Sequence, residues 1–288
     1  MTLGPRKTVL ITGTSSGFGL LAVPLLLERG FRVLAGIRGG EERLRQFFAK
    51  EMARYGDQLV AVELHMESED TFAAAESAVA ELAGGKLDVL VNNAGFGLFG
   101  SLEDQTATQL RHQMEVNFFG PTLLTKKLLP ALIRARGRII NVSSVAGRVT
   151  LPLYGPYCAS KFALEAMSEA LHYELKPFGV QVSLIEPGGF RTGFSRNKSM
   201  AERSLDPASP YHKRSMAIDH FQVATAARQG DPIHVARKIA WLAEKRRIPI
   251  RVPMGVDAWF MAILCRILPD SWRVGAEEFF FRKIVFRD

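Results

Sequence analysis

Lys7-Thr-Val-Leu-Ile-Thr-Gly-Thr-Ser-Ser-Gly-Phe-Gly19 is the stretch from which the fold is read. Its first six residues form a short run rich in β-branched side chains, and residues 13–19 are small and glycine-rich. Residues 19–29 are apolar enough for a buried helix, closed by Gly30. Strand, glycine turn and helix in that order bring backbone N–H groups to a helix N-terminus, an arrangement suited to a pyrophosphate. The glycines are spaced G-x-x-x-G-x-G (Gly13, Gly17, Gly19), with Ser15, Ser16 and Phe18 among them. Position makes the pattern informative, since the same glycines away from a strand–helix junction would be an ordinary turn. Pro24 should remove one backbone hydrogen bond and bend the helix there.

The alternation continues downstream. Strands are expected at 31–37, 58–64 and 87–91, with helices at 41–55 and 69–82 between them. Parallel strands joined by right-handed crossovers follow from such alternation, so the expected fold is α/β, a Rossmann-type doubly wound parallel sheet. A long helical stretch over about 103–134, a strand at 138–142, a helix at 157–176 and a strand at 180–185 extend it. No boundary interrupts residues 7–190, which read as the dinucleotide-binding and catalytic core of a single domain. Residues 191–230 are polar, basic and aperiodic, as a lid or inserted lobe would be. Asp231-Pro232 then places an N-cap and a first-turn Pro before a helix reaching about 245. No alternating strand is visible over 252–288, so 191–288 reads as substrate lid and C-terminal tail.

With 288 residues, 47% of them hydrophobic, the chain can bury a large core. Cys158 and Cys265 have no paired spacing, and the six His lack an H-E-x-x-H pattern, so neither a disulfide framework nor a metal site is expected. The formal charge of +8 is not spread evenly: residues 1–190 hold 19 basic and 19 acidic side chains, residues 191–288 hold 18 and 10. A solvated basic lobe is the plain reading, with attraction to an anionic membrane or acidic ligand next. Nucleic acid is not expected, because no aromatic-interleaved basic motif or zinc-finger spacing occurs. The apolar run after Arg6 and Lys7 is too short for a secretory segment, and glycines interrupt the uncharged residues 8–27, so a cytoplasmic location is expected.

Tyr157 and Lys161 lie four apart and share one helix face. An ammonium beside a phenol favours the phenolate and lowers a pKa that is otherwise near 10, which makes an acid/base device. Together with Thr12–Gly19, Asn92-Asn93-Ala94-Gly95, Asn117, Ser144 and Pro187-Gly188 followed by Thr192, this pair makes the chain resemble the short-chain dehydrogenase/reductase family over residues 7–192. The resemblance implies roles. Tyr157 would be the acid/base, Lys161 would lower its pKa and bind the nicotinamide ribose, Ser144 would hydrogen-bond the substrate oxygen, and Asn117 would support a proton relay through water. Asn93, Ala94 and Gly95 would border the cofactor, and Pro187, Gly188 and Thr192 would hold its nicotinamide end. Family spacing sets the serine thirteen residues before the tyrosine, which selects Ser144 over Ser143.

Cofactor choice is read at the end of the second strand, where an acid would bind the ribose 2′-OH of NAD. Here Ile37 stands, followed by Arg38, whose guanidinium suits a phosphate. NADP(H) is therefore expected in preference to NAD(H). His65 occupies a position where the family commonly has Asp beside the adenine, while a backbone contact from Met66 would survive that change.

The segments Tyr157-Cys-Ala-Ser-Lys-Phe-Ala-Leu-Glu-Ala166 and Lys176-Pro-Phe-Gly-Val180 resemble the branch that contains 17-beta-hydroxysteroid and retinol dehydrogenases. That branch implies a hydrophobic small-molecule substrate, a steroid-like or retinoid-like alcohol or its carbonyl partner. A reductase of fatty-acyl or xenobiotic ketones, and a non-catalytic dinucleotide-binding regulator, stay open as alternatives. Residues 258–265 could cover a lipophilic pocket or pack against the core. Peripheral membrane contact through the tail is a third option, since Trp259, Phe260, Phe279, Phe280 and Phe281 occur near Arg266, Arg273, Arg282 and Lys283. By the family resemblance, a homodimer or homotetramer is expected through the helices at 103–134 and 157–176.

Overall fold

Short runs dominated by Val, Ile and Leu supply the strands of a seven-stranded parallel sheet in the computed structural model, which describes residues 6–192 and 199–286. The first half comprises β1 (Thr8–Thr12), α1 (Gly17–Glu28), β2 (Arg32–Ile37), α2 (Gly40–Tyr55), β3 (Leu59–Glu63), α3 (Phe72–Ala83) and β4 (Val89–Asn92). Next come β5 (Leu98–Phe99), α4 (Ala107–Met114), α5 (Gly120–Ala135), β6 (Arg138–Val142), α6 (Gly155–Leu175) and β7 (Gln181–Pro187). The remainder holds β8 (Ser199–Met200), α7 (Glu202–Leu205), α8 (His212–Thr225), α9 (Ile233–Glu244), β9 (Arg251–Met254), α10 (Val256–Ile267) and α11 (Asp270–Phe280). β5 and β8 form a separate two-stranded pair.

Sheet order is β3-β2-β1-β4-β6-β7-β9, with Val9 in register with Val33 on one side and Val89 on the other. The order reverses between β1 and β4, and a doubly wound sheet opens its crevice beyond the strand ends at such a point. All five residues of β1 are buried, because helices cover both faces of the sheet and leave no polar side to alternate with. On one face Leu26 and Leu27 of α1, Phe48 of α2 and Ile239 of α9 pack together. On the other, Phe72 of α3, Leu124 and Leu128 of α5 and Leu171 of α6 do so.

Two local readings need correction, and a third stretch gains detail. The helical run expected over 103–134 begins at Ala107, where the Thr106 hydroxyl accepts from Gln109 N (3.2 Å) and the Gln109 side chain accepts from Thr106 N (2.9 Å). That run then widens into a π-helical turn over Glu115–Phe119 before α5 resumes. In the stretch expected to lack a strand, Arg251–Met254 pairs in parallel with β7. Four residues including Pro253 show no alternation, and the Pro is tolerated because β9 is an edge strand. Finally, 191–230 contains α7 and α8; only Ser215 and Ile218 of α8 are buried, too few to leave an apolar stripe. Residues 193–198 of the expected lid lie outside the described residues.

Two expected helices are present. α1 runs through Pro24, and α9 starts where Ile233 N donates to Asp231 Oδ1 at 2.9 Å. Cys158 and Cys265 are both free. Among the described residues, no helix is long and apolar enough to cross a membrane.

Candidate active site

A cleft of about 790 Å³ opens at the C-terminal ends of the strands, beside the switch point. Its floor is knitted from β1 and β4. Thr12 Oγ1 accepts from Asn93 N (3.0 Å) and Ala94 N (2.9 Å), while Asn93 Nδ2 donates to the carbonyls of Thr12 (2.9 Å) and Gly13 (3.1 Å). Gly13 has φ +70°, and a Cβ there would lie 2.8 Å from Ala94 Cα. At Gly19 a Cβ would come within 2.3 Å of the Gly13 carbonyl oxygen, so the start of α1 rests on the turn. α1 has no side-chain cap and no acidic residue in its first turn. With Ser15, Ser16, Gly17 and Phe18 on the cleft wall, the positive end of that helix is left to an anionic guest. This cradle fits a dinucleotide pyrophosphate.

Farther along the cleft, Ile37, Arg38, Arg43, Met66 and Glu67 form the wall. Arg38 is mostly exposed and its Nη1 stands 3.9 Å from Glu67 Oε1; the Arg43 guanidinium lies over the Phe47 ring at 5.0 Å. His65 falls beyond the end of β3, and its Nε2 lies 2.6 Å from Glu63 Oε1. The Gly39 N–H, donating to Glu63 at 3.0 Å, holds that carboxyl below its ordinary range.

At the opposite end the first turns of α6 carry Tyr157 and Lys161 into the cleft, and Ser144 joins them from the turn after β6. Ser144 Oγ accepts from Ala146 N at 3.1 Å. Lys161 Nζ donates to the Val142 carbonyl at 3.0 Å and stands 6.0 Å from the centre of the Tyr157 ring. Burial pushes the Tyr157 phenol up to about 12, with the Ser144 hydroxyl pulling the other way. Lys161 is not among the groups that shift the phenol: its ammonium is buried and engaged by the Val142 carbonyl. Burial also brings Lys161 down to about 8, opposed by the charge of Glu165.

Sequence-predicted residues are placed as follows. Gly13, Ser15, Ser16, Gly17, Phe18, Arg38, Met66, Asn93, Ala94, Gly95, Ser144, Tyr157, Lys161, Pro187, Gly188 and Thr192 all border the one cleft. Gly19 and Asn117 do not line it. Asn117 is buried in the π turn, where its Oδ1 accepts from Phe96 N (3.1 Å) and its Nδ2 donates to Phe96 O (2.9 Å) and Ser160 Oγ (3.1 Å). Ser143 also reaches the cleft edge, but it packs with Glu165 against Gly147, where a Cβ would meet both at 2.9 Å.

Several neighbours fall outside the motifs read from the sequence. Phe96, Phe99, Leu151 and Tyr154 make an apolar wall beside Tyr157, with the Phe99 and Tyr154 rings 4.3 Å apart. The helical spacing of Tyr154 and Tyr157 would have pointed to the former. Asp257, in the first turn of α10, accepts from Gly189 N at 2.7 Å and so ties the tail to the 187–189 loop. Among the described residues, no group of three or more His, Cys, Asp or Glu side chains is arranged to hold a metal ion.

A family model described as short chain dehydrogenase matches residues 7–203. The 3-ketodihydrosphingosine reductase of Bacteroides thetaiotaomicron is 40% identical over 254 residues, spanning 86% of this chain and 88% of that protein. A short chain dehydrogenase from Burkholderia cenocepacia, solved in complex with NADP, superposes with a TM-score of 0.72 at 28% identity, over 94% of this chain and 96% of that one. A short chain dehydrogenase/reductase from Burkholderia phymatum in complex with NAD gives 0.76 at 25% identity, over 96% and 97%.

Proposed function

Because the chain belongs to the short-chain dehydrogenase family, oxidoreductases of CH–OH groups that use a nicotinamide dinucleotide, we propose that it interconverts a hydrophobic alcohol and its ketone or aldehyde with NADP(H) preferred. The observation that carries this reading is the meeting of Ser144, Tyr157 and Lys161 in the cleft that the glycine turn closes at its other end. NAD(H) is the lesser cofactor: Ile37 offers no carboxylate to a ribose, whereas Arg38 and Arg43 together suit a phosphate.

The Gly13–Gly19 turn and α1 would hold the pyrophosphate, Met66 and Asn93–Gly95 the adenosine side, Lys161 the nicotinamide ribose, and Pro187, Gly188 and Thr192 the nicotinamide end. When bound, the nicotinamide gives or takes the hydride. Everything else falls to the protein. Tyr157, kept as a phenol by burial, donates its proton to the carbonyl oxygen in reduction, and Ser144 holds the same oxygen. The Lys161 ammonium steadies the phenolate left behind. Asn117 fixes the Phe96 backbone and lies beside Gly95, as Lys161 does, where it would support the refilling of that proton through water.

The aromatic and leucine wall at Tyr157 supports a lipophilic substrate, steroid-like or retinoid-like. A second reading, reduction of a long aliphatic ketone, is favoured by the relative named as a reductase of 3-ketodihydrosphingosine. Residues 191–288 would then serve as the substrate lobe. We further propose a cytoplasmic enzyme that forms a homodimer; exposed Phe162 and Tyr173 on α6, with Phe119 just before α5 and Phe178 just after α6, support the dimer. A tetramer would need a second face, and the exposed apolar tail is assigned instead to contact with an anionic membrane.

Steroids, retinoids and long-chain ketones assayed with NADPH and NADH test the reading. The variant Tyr157→Phe should lose about 10²- to 10⁴-fold in turnover while still binding NADPH. Unchanged turnover would overturn the assignment.

A further inference from the structure

A carboxylate outside the cleft fastens residues 199–225, the first part of the substrate lobe, to the catalytic half. Asp104 lies between β5 and α4, and its side chain is fully buried. Ser204 Oγ of α7 donates to its Oδ2 at 2.7 Å, and Ser209 Oγ stands 2.9 Å from each of its oxygens. The Asp104 N–H donates to Ser101 Oγ at 3.2 Å, and Arg203 Nε is 3.6 Å from Asp104 Oδ1. Burial works to raise this carboxyl, yet the Ser204, Ser209 and Ser101 hydroxyls and the Arg203 charge hold it below its ordinary range. An ionised carboxylate only accepts, so both lobe serines donate to it.

The loop that ends at Asp104 also carries the wall beside Tyr157. Leu98 N donates to Gln113 Oε1 at 2.7 Å and Gly100 N to the Leu153 carbonyl at 2.9 Å, which fixes the loop from the catalytic half. From the lobe, Ser199 N donates to the Gly97 carbonyl (2.9 Å) and Ala201 N to the Phe99 carbonyl (2.8 Å). Gly100 has φ +132°, and a Cβ there would lie 2.7 Å from Ser204 Oγ and 2.8 Å from Ala201 Cβ, so the lobe rests directly on the loop. The Phe99 ring is 4.3 Å from that of Tyr154 and 6.2 Å from that of Tyr157. Ser209 Oγ also accepts from Tyr211 N at 3.1 Å, just before α8, and Gln222 of α8 borders the cleft. Asp104 itself does not border it.

We propose that Asp104 is a positioning residue that sets substrate size: by holding Ser204 and Ser209 it keeps the lobe ordered against Phe99 and α8 at the cleft, and so favours large lipophilic carbonyls and alcohols over small ones. The proposal rests on the reading of the wall beside Tyr157 as the substrate site. Without this latch a large ligand must order the lobe as it binds, and its apparent affinity falls with the fraction of molecules already ordered. A small ketone that reaches only Ser144 and Tyr157 bears no such cost.

The test compares the full chain with Asp104→Ala and with Ser204→Ala/Ser209→Ala, which keeps the carboxylate. Hydrogen exchange read by mass spectrometry should be at least about tenfold faster over residues 199–211 in both, from the loss of charge-assisted hydrogen bonds, while β1 and α1 stay protected. With NADPH, KM for the best reduced of progesterone, retinal and a long-chain ketone should rise by at least about tenfold. Neither kcat nor KM for cyclohexanone, nor the affinity for NADPH, should move with it. Adding the serine changes to Asp104→Ala should add little, since both act through one contact. A generally weakened fold would instead loosen β1 and NADPH binding as well. Unchanged exchange in Asp104→Ala, equal losses on large and small ketones, faster exchange with unchanged KM for the large carbonyl, or a wild type that reduces cyclohexanone alone would each overturn it. Should Asp104→Ala fail to fold, the serine pair decides by the same measurements. Because exchange needs no turnover, a wild type that reduces none of these compounds would count against the proposed function, and the latch would stand or fall on the exchange of residues 199–211.

Discussion

Arg38, just past β2, and Arg43, in the first turns of α2, both border the cleft at the end proposed for the adenosine ribose. A charge-assisted hydrogen bond is worth about 1.5–3 kcal/mol, so each guanidinium on a phosphate should account for roughly ten- to a hundredfold in affinity. Arg38→Ala is accordingly expected to raise the KM for NADPH by at least about tenfold and leave that for NADH nearly unchanged. Wild-type efficiency with NADH equal to that with NADPH would refute the preference. Ser144 and Ser143 can be separated in the same way. Ser144→Ala should lose on the order of 10²-fold in kcat, the cost of one donor to a developing oxyanion, whereas Ser143→Ala, whose hydroxyl packs with Glu165 against Gly147, should lose much less. Steady-state kinetics with the reverse ranking would exchange their roles. Most of these residues were legible in the sequence because a turn or a helix face holds them together. Arg43, Asp257 and the aromatic wall were not, because tertiary folding brings them in from separate elements.

The glycine turn and α1 act as one element, because Gly19 allows the helix to start against the Gly13 carbonyl. Gly19→Ala would place a Cβ 2.3 Å from that oxygen, and displacing backbone costs about 1–3 kcal/mol by analogy with overpacked cores. A melt should show Tm lower by several degrees, at roughly 2–4 °C per kcal/mol for a domain of this size class, and the stabilisation gained on adding NADPH should shrink with it. An unchanged Tm together with undiminished NADPH stabilisation would mean that the contact is not needed. The β/α alternation was readable because buried parallel strands are continuous apolar runs. β9 escaped because it is four residues long with an internal Pro, α8 because it buries so little. The π turn at Glu115–Phe119 escaped because nothing in the residue pattern distinguishes one extra residue per turn from a continuous helix, although that turn is what aims Asn117 at Phe96.

Across the whole molecule the basic excess and most of the exposed large apolar side chains fall in the same third of the chain. Val256, Trp259, Phe260, Ile263 and Ile267 are exposed and recur at helical spacing along α10, and Trp272 and Phe279 extend that surface onto α11. The charge asymmetry was legible in composition, but which cations are available was not, since ion pairing is decided by tertiary contacts. Arg273 is drawn into Asp270 (3.4 Å) and Glu277 (3.0 Å), whereas Arg266 on α10 and Arg282 just past α11 are exposed. A surface of Trp and Phe edged by cations suits the interface of an anionic bilayer, where an aromatic ring enters the headgroup region and each basic residue adds about 1 kcal/mol. The protein should therefore sediment with phosphatidylserine-containing vesicles more than with purely zwitterionic ones, and rising salt should release it. Truncating two large side chains that bury apolar area removes roughly 1.5–3 kcal/mol each at full burial. Trp259→Ala/Phe260→Ala should thus cut partitioning by at least about tenfold without changing kcat on a water-soluble ketone. Absence of vesicle binding at low salt, or equal binding by the double variant, would instead direct this apolar face to a protein partner or a second copy of the chain, which sedimentation equilibrium of the same two proteins would detect.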